Sequence, residues 1–93
     1  MQPRILTEHA TKLTHDEYLD AKGLNCPLPI LKTKVLLNKM SPGECLKVEA
    51  TDPHSQVDFE AYCARTSHEL VESSLTGEVY TFLIRRAVNP KPI

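Results

Sequence analysis

The chain has 93 residues, with 11 basic and 12 acidic side chains, a formal net charge of −1 and 41% hydrophobic residues. This size allows one domain, and the near-neutral charge argues against a protein that grips nucleic acid by its phosphates. The first residues lack the apolar run of a signal peptide, and no stretch approaches the roughly 20 apolar residues that a membrane span requires. We therefore expect a cytoplasmic protein.

The first half of the chain predicts a strand, a helix and a second strand. Residues 1–16 show neither helical nor strand periodicity and are interpreted as a flexible leader. A short strand at 18–21 would end in a turn at 22–23, and a helix fits from Pro27 to about Met40. Ser41-Pro42-Gly43 would stop that helix. Alternation over the next strand places on its inner face Leu46, Val48 and Ala50.

The second half predicts another helix followed by a hairpin. Asp52 is suited to cap this helix and Pro53 to occupy its first position. The inner stripe of the helix consists of Phe59, Tyr62, Cys63 and Thr66. Residues 70–73 and 79–85 predict two strands joined by a tight turn at 76–78, and 88–93 predict a disordered tail.

The predicted order is therefore β-α-β-α-β-β, with one domain over residues 17–87. The first helix lies between two strands and should connect them as a parallel pair, while the terminal hairpin adds antiparallel strands. Two helices suffice to cover one face of a four-stranded sheet. We expect an α+β fold, a two-layer α/β sandwich with a mixed sheet.

Cys26 is the candidate reactive residue, because it lies at or just before the start of the first helix. The helix dipole favours an anion there, so the thiol is expected to ionise more readily than a free cysteine. Pro27 and Pro29 fit the first helical turn and would stiffen it, while Gly23 allows the sharp approach from the strand. The alternative is that Cys26 is a small buried hydrophobe, as most free cysteines are.

The first helix carries more apolar residues than one buried face needs. Some of them could remain exposed and form a docking patch for a partner protein. Lys32 and Lys34 would add positive charge at the rim of that patch. The apolar residues in question are Leu24, Leu28, Leu31 and Val35.

The other chemistry-bearing residues have simpler interpretations. Cys45 and Cys63 are expected to pack rather than react, and His68 to be a turn residue. Three cysteines cannot all pair within one molecule, and no Cys-x-x-Cys or His-x-x-x-His spacing predicts a zinc site. Asp58 and Glu60 are interpreted as the solvated face of the second helix.

The segment Leu19–Pro29, with its core Gly-Leu-x-Cys-Pro-x-Pro, resembles the TusA/SirA-type sulfur carriers. Leu24 belongs to that core together with the cysteine and both prolines. The resemblance spans about residues 18–87. It continues through Ser41–Glu44, Thr51–Pro53, Asp58, Cys63, His68–Leu70 and Phe82–Arg86.

This resemblance implies a two-layer sandwich in which Cys26 accepts sulfane sulfur as a persulfide and passes it to another protein's cysteine. It implies a cysteine desulfurase as donor, a downstream sulfur-relay protein as acceptor, and no metal or organic cofactor. The sequence is most similar to the branch that serves 2-thiouridine synthesis at the tRNA wobble position. Sulfur oxidation, thiosulfate use and molybdenum cofactor maturation are the other pathways that family members serve.

Two further functions remain open from the residues themselves. A two-layer sandwich also occurs in RNA-contacting domains, so a regulatory or RNA-associated module is an alternative, although the charge does not favour it. A thiol redox enzyme is another, but no resolving cysteine lies near Cys26 in the sequence.

Overall fold

The structure, a computed structural model, describes residues 15–90. Residues 1–14, most of the predicted leader, and 91–93, the end of the predicted tail, lie outside the described residues. The predicted order of elements is confirmed. In chain order they are β1 (Glu17–Ala21), α1 (Leu28–Lys39), β2 (Cys45–Ala50), α2 (Ser55–Thr66), β3 (Glu69–Thr76) and β4 (Val79–Arg85).

The four strands form one mixed sheet in the order β1-β2-β4-β3. β1 is parallel to β2, and β4 is antiparallel to both of its neighbours. The hairpin between β3 and β4 has a two-residue loop, in which Gly77 adopts a φ of 63°. A two-residue hairpin loop favours positive φ, which glycine adopts without a steric penalty.

Both helices pack on one face of this sheet, as the alternating burial of β2 shows. Leu46, Val48 and Ala50 are fully buried, whereas the residues between them are half-buried. In α1, Thr33 and Leu37 face the core, and in α2 the ring of Phe59 stacks on Phe82 of β4 with centroids 4.4 Å apart. The predicted inner stripe of α2 is buried along its whole length, and the two-layer sandwich is confirmed.

The prediction that Asp52 caps α2 is wrong. The helix begins at Ser55 after His54, and no side chain caps it. Asp52 and Pro53 instead form a turn ahead of the helix, where the amide of Ser55 donates to the carbonyl of Asp52 at 2.9 Å. One oxygen of the Asp52 carboxylate accepts the amide of His54 within this turn, and the other is free to bond elsewhere.

The strand ends differ little from the prediction, except that β3 runs on to Thr76. The additional residues of β3 are mostly exposed, and their pairing with β4 holds them in the sheet. The pattern of apolar residues could not predict this extension, because it indicates buried positions and not strand pairing. Asp16, placed in the leader by the sequence, is tied to β2 by two hydrogen bonds with Cys45 of 2.8 Å each.

At the end of the molecule where β4 finishes, buried His68 is a structural acceptor. Its Nδ1 accepts a hydrogen bond from the backbone amide of Ala87 at 3.0 Å, and its ring lies against Tyr62 with centroids 5.9 Å apart. Burial, with the neighbouring charge of Arg86, lowers the pKa of His68. His68 lies in the short connection between α2 and β3, and its interpretation as a turn residue did not foresee this buried role.

Candidate functional site

Cys26 lies beyond the carboxyl end of β1, next to the carboxyl end of β2, where the chain turns toward both helices. Gly23 makes this turn with a φ of 84°, a conformation that side chains with a Cβ seldom adopt. The amide of Leu24 donates to the carbonyl of Ala21 at 3.2 Å. The peptide bond between Cys26 and Pro27 is cis. Cys26 itself is exposed, which excludes the interpretation of a buried core cysteine.

A single carboxylate holds the Cys26 turn against the start of α2. Asp52 Oδ2 accepts the backbone amide of Cys26 at 2.5 Å, and Asp52 Oδ1 accepts the amide of His54 at 2.9 Å. These two amides lower the pKa of Asp52, because each stabilises the ionised form. The backbone of Cys26 is therefore tied to the start of α2 by a charged acceptor.

The thiol opens onto a cleft of about 320 Å³ between the start of α1 and the exposed side of α2. On the α1 side the walls are apolar, formed by Pro27 and Ile30. The α2 side carries two charged groups, Asp58 and Arg65. The complete lining is Cys26, Pro27, Ile30, Asp58, Ala61, Tyr62 and Arg65.

The expectation that Cys26 ionises more readily than a free cysteine is wrong for the isolated chain. The pKa of the thiol is raised, first by a hydrogen bond to Asp58, then by burial, and then by the negative charges of Asp58 and Asp52. Each of these effects favours the protonated thiol.

The backbone N–H groups at the start of α1 also do little to stabilise a Cys26 thiolate. α1 begins at Leu28, two residues after Cys26, and Pro27 and Pro29 have no backbone N–H. The amide of Leu28 is already bonded to the carbonyl of Asn25 at 2.8 Å. Three of the four positions 27–30 therefore have no free N–H to direct at the sulfur, which weakens the local field of the dipole.

Asp58 is the site residue that sequence reasoning missed. The sequence places it on the solvated face of α2, but it is half-buried in the wall of the cleft. Its spacing was informative, because Asp58 precedes the buried Tyr62 by four residues and so lies on an adjoining part of the helix surface.

The predicted docking residues divide into two sets. Leu28, Leu31 and Val35 are 44%, 50% and 54% exposed, and they line a second, apolar groove of about 430 Å³ with Leu19, Lys32 and Leu36. Leu24 is half-buried and packs against the core instead. Lys34 is exposed but lies outside the lining of the groove.

The remaining cysteines and histidines do not join Cys26. Cys63 is buried in α2, where burial raises its pKa to about 11, and Cys45 is half-buried at the start of β2. Over residues 15–90, no three His, Cys, Asp or Glu side chains are grouped so that they could hold a metal ion. Nor does any helix in that range have the length and apolar character to cross a membrane.

Comparison with known proteins gives consistent matches over nearly all of the described chain. A family model described as "Sulfurtransferase TusA" matches residues 17–86. The "Sulfur carrier protein TusA" of Allochromatium vinosum is 53% identical over 72 residues, which cover 77% of this chain and 95% of that protein. The protein of the same name from Pseudomonas paraeruginosa is 41% identical over 76 residues, covering 80% and 96%.

A solved structure has the same fold. The crystal structure of a SirA-like protein from Desulfitobacterium hafniense aligns with a TM-score of 0.70, covering 77% of this chain and 99% of that one. The two sequences are 19% identical, so the likeness concerns the arrangement of the two helices on the mixed sheet.

Proposed function

The chain belongs to the TusA family of sulfurtransferases, and from that membership we propose that it is a sulfur carrier that holds sulfane sulfur as a persulfide on Cys26. The observation that supports this most directly is the exposed thiol of Cys26, which opens onto a cleft beside two helix starts. Of the three cysteines, it is the most accessible. A carrier thiol must meet cysteines of other proteins, so access is the first requirement.

The chemistry of such a carrier is exchange at sulfur in two balanced steps. In loading, the Cys26 thiolate attacks the outer sulfur of a donor persulfide. A new S–S bond forms at Cys26, the donor's S–S bond breaks, and the donor leaves as a thiolate. In unloading, an acceptor thiolate attacks the outer sulfur of Cys26-S-SH, and Cys26 is the leaving thiolate. Neither step requires an external oxidant or reductant.

The proposed partners follow from the family. We propose a cysteine desulfurase as donor and a downstream sulfur-relay protein as acceptor, in the pathway of tRNA wobble 2-thiouridine synthesis. The name "sulfur carrier" given to both relatives supports a place between two sulfur-handling proteins. The cleft at Cys26 is open enough for a partner to approach the sulfur, and the chain needs no deep pocket of its own.

Loading on Cys26 is tested by incubating the protein with a cysteine desulfurase and cysteine, followed by intact mass measurement without reductant. We expect the mass to increase by one sulfur atom in the wild type and in Cys63→Ser, and not in Cys26→Ser. Equal loading of Cys26→Ser and wild type, or no loading of either, would overturn the assignment.

The apolar groove is the proposed docking surface for these partners. Leu28, Leu31 and Val35 expose apolar area that a partner can cover, and Lys32 at the edge suits an acidic group of that partner. Leu31→Ser should slow loading by the desulfurase about tenfold through loss of buried apolar area. Leu75→Ser is the matched control, because Leu75 is 54% exposed on β3 and lies outside the groove. Equal rates for the two variants would exclude the groove.

The pathway is identified by the acceptor that Cys26 reaches. Unloaded protein whose Cys26 is activated as a disulfide with 5-thio-2-nitrobenzoate is mixed with a cell extract. An acceptor thiolate attacks the Cys26 sulfur, thionitrobenzoate leaves, and the protein now disulfide-linked to Cys26 is identified by sequencing. A tRNA-thiolation relay protein is the expected partner. Capture of a sulfur-oxidation, thiosulfate or molybdenum-cofactor protein in its place would move the carrier to that pathway.

A further inference from the structure

Asp58 and Cys26 face each other across the cleft, although they come from different elements and are 32 positions apart in the chain. Asp58 lies in the first turn of α2, and its carboxylate lines the same cleft as the thiol. An ionised carboxylate repels a thiolate, and it can only accept a hydrogen bond from a thiol. The arrangement therefore suits the protonated thiol and opposes the thiolate that sulfur exchange needs.

The charges around this pair do not offset Asp58. Within residues 15–90 Asp58 forms no ion pair. Arg65 lines the same cleft but lies seven residues further along α2, which is about 10 Å along the helix axis. The side of the cleft formed by α1 contributes Pro27 and Ile30 and therefore no charge.

The loop before α2 adds a second carboxylate near the thiol, but one that is already satisfied. Asp52 accepts the amides of Cys26 and His54, and the exposed His54 ring lies 3.3 Å from its Oδ1. Asp58 is thus the acidic group that lines the cleft itself and forms no ion pair within the described residues.

We propose that Asp58 is a positioning residue whose charge keeps the Cys26 thiol protonated in the free carrier, and that a basic side chain of a docked sulfur-transfer partner pairs with Asp58 and releases the sulfur for exchange. This proposal rests on the carrier function proposed above and deepens it. It gives the partner a defined chemistry, a lysine or arginine placed beside its own reactive cysteine. It also gives the free carrier a thiol that is reachable but restrained.

The restraint is tested on the free protein by the rate of alkylation of Cys26 by iodoacetamide as a function of pH. We expect Asp58→Asn, which keeps the size of the side chain and removes its charge, to move the midpoint of the alkylation profile to lower pH. If the midpoint falls by about one pH unit, the thiolate fraction near neutral pH rises about tenfold while the nucleophilicity of the thiolate falls about threefold, so the rate rises about threefold.

The matched control is Glu60→Gln, which removes the same charge from an exposed position of α2 outside the cleft. It should follow the wild-type profile. If Asp58→Asn and Glu60→Gln have the same pH profile as the wild type, the restraint does not exist and the proposal is wrong.

The partner's contribution is tested by the rate of loading from a cysteine desulfurase at several carrier concentrations. Asp58→Asn should raise the KM for the carrier several-fold, because the partner's basic group loses its pair, while the free thiol reacts faster with iodoacetamide. These opposite effects would not arise from a general loss of structure. If Asp58→Asn is loaded faster by the same factor by which it is alkylated faster, the partner contributes no basic group and the proposal is wrong. Failure of the carrier function itself would appear separately, as the absence of any sulfur on Cys26 in the wild type.

Discussion

The surroundings of Cys26 and of Cys63 raise the pKa of a thiol in two different ways. Around Cys63, in the layer between α2 and the sheet, burial is the cause and the pKa is raised to about 11. At the cleft, Cys26 is exposed, and the first cause is a hydrogen bond to Asp58. Burial of Cys63 is part of the folded core and persists as long as the core does. A carboxylate facing an exposed thiol can be neutralised from outside.

The difference teaches that access and ionisation are separate properties in this small protein. Cys63 lacks both, since it is 4% exposed and its charged form is disfavoured. Cys26 has access without ready ionisation. A carrier thiol with both would react with any electrophile in solution, whereas a thiol with access alone reacts best where a partner supplies the missing charge.

The largest expected effect is a difference in alkylation between these two residues. In the folded protein iodoacetamide should modify Cys26 about a hundredfold faster than Cys63, because Cys63 reacts only through opening of the core. Peptide mapping after timed quenching measures both rates. In concentrated urea the rates should converge, and similar rates in the native protein would contradict the contrast.

Asp52→Ala should separate the Cys26 turn from α2. The variant loses both hydrogen bonds that the carboxylate accepts, from Cys26 and from His54, and we expect the free energy of unfolding to fall by about 2–3 kcal/mol. Urea denaturation measures the change. Asp52→Asn retains one acceptor oxygen and should lose about half as much. If Asp52→Ala leaves the free energy of unfolding unchanged, neither bond contributes to stability.

Replacing each cysteine by serine compares the two regions with the same change in chemistry. Cys63→Ser places a hydroxyl in the core and should cost about 1–2 kcal/mol of unfolding free energy. Cys26→Ser, at an exposed position, should change it by no more than about 0.5 kcal/mol. Urea denaturation of both variants measures the two costs. Equal costs would mean that Cys63 is not packed as described.

The smallest expected effect concerns His68, whose ring lies against the cleft-lining Tyr62. Its pKa is lowered in the folded state, so the unfolded chain binds the proton first as pH falls below about 6.5. Stability should therefore decrease on acidification, with a slope from this group of at most about 1.4 kcal/mol per pH unit. Thermal unfolding between pH 7 and 5, in wild type and His68→Gln, measures this slope. An unchanged slope in the variant would exclude His68 as its source.

The fold was predictable because its signals are local. The alternation at Leu46, Val48 and Ala50 marks a strand with one buried face, and the spacing from Phe59 to Thr66 marks the buried stripe of α2. Each of these patterns depends on the geometry of a single element. Consequently the order of elements and the residues of the core could be obtained without knowing how the elements pack.

The electrostatics of the site were not predictable, because they depend on contacts between distant parts of the chain. Asp52 reaches back 26 positions to Cys26, and Asp58 crosses the cleft between the helices. Helix-start reasoning saw only the dipole of α1 and gave the wrong direction for the pKa of Cys26. Lys32 lines the apolar groove and Lys34 does not, because residues two apart on a helix point in different directions.

The carboxylate of Asp52 accepts one hydrogen bond from the amide of Cys26 and one from the amide of His54, and so couples the Cys26 turn to the loop before α2. A partner that displaces one of these loops on binding therefore displaces the other as well. Two enzymes that bind this surface one after the other would therefore meet Cys26 at the same position relative to α2, even if the enzymes are unrelated. Both enzymes would then reach Cys26 by binding to the same helix.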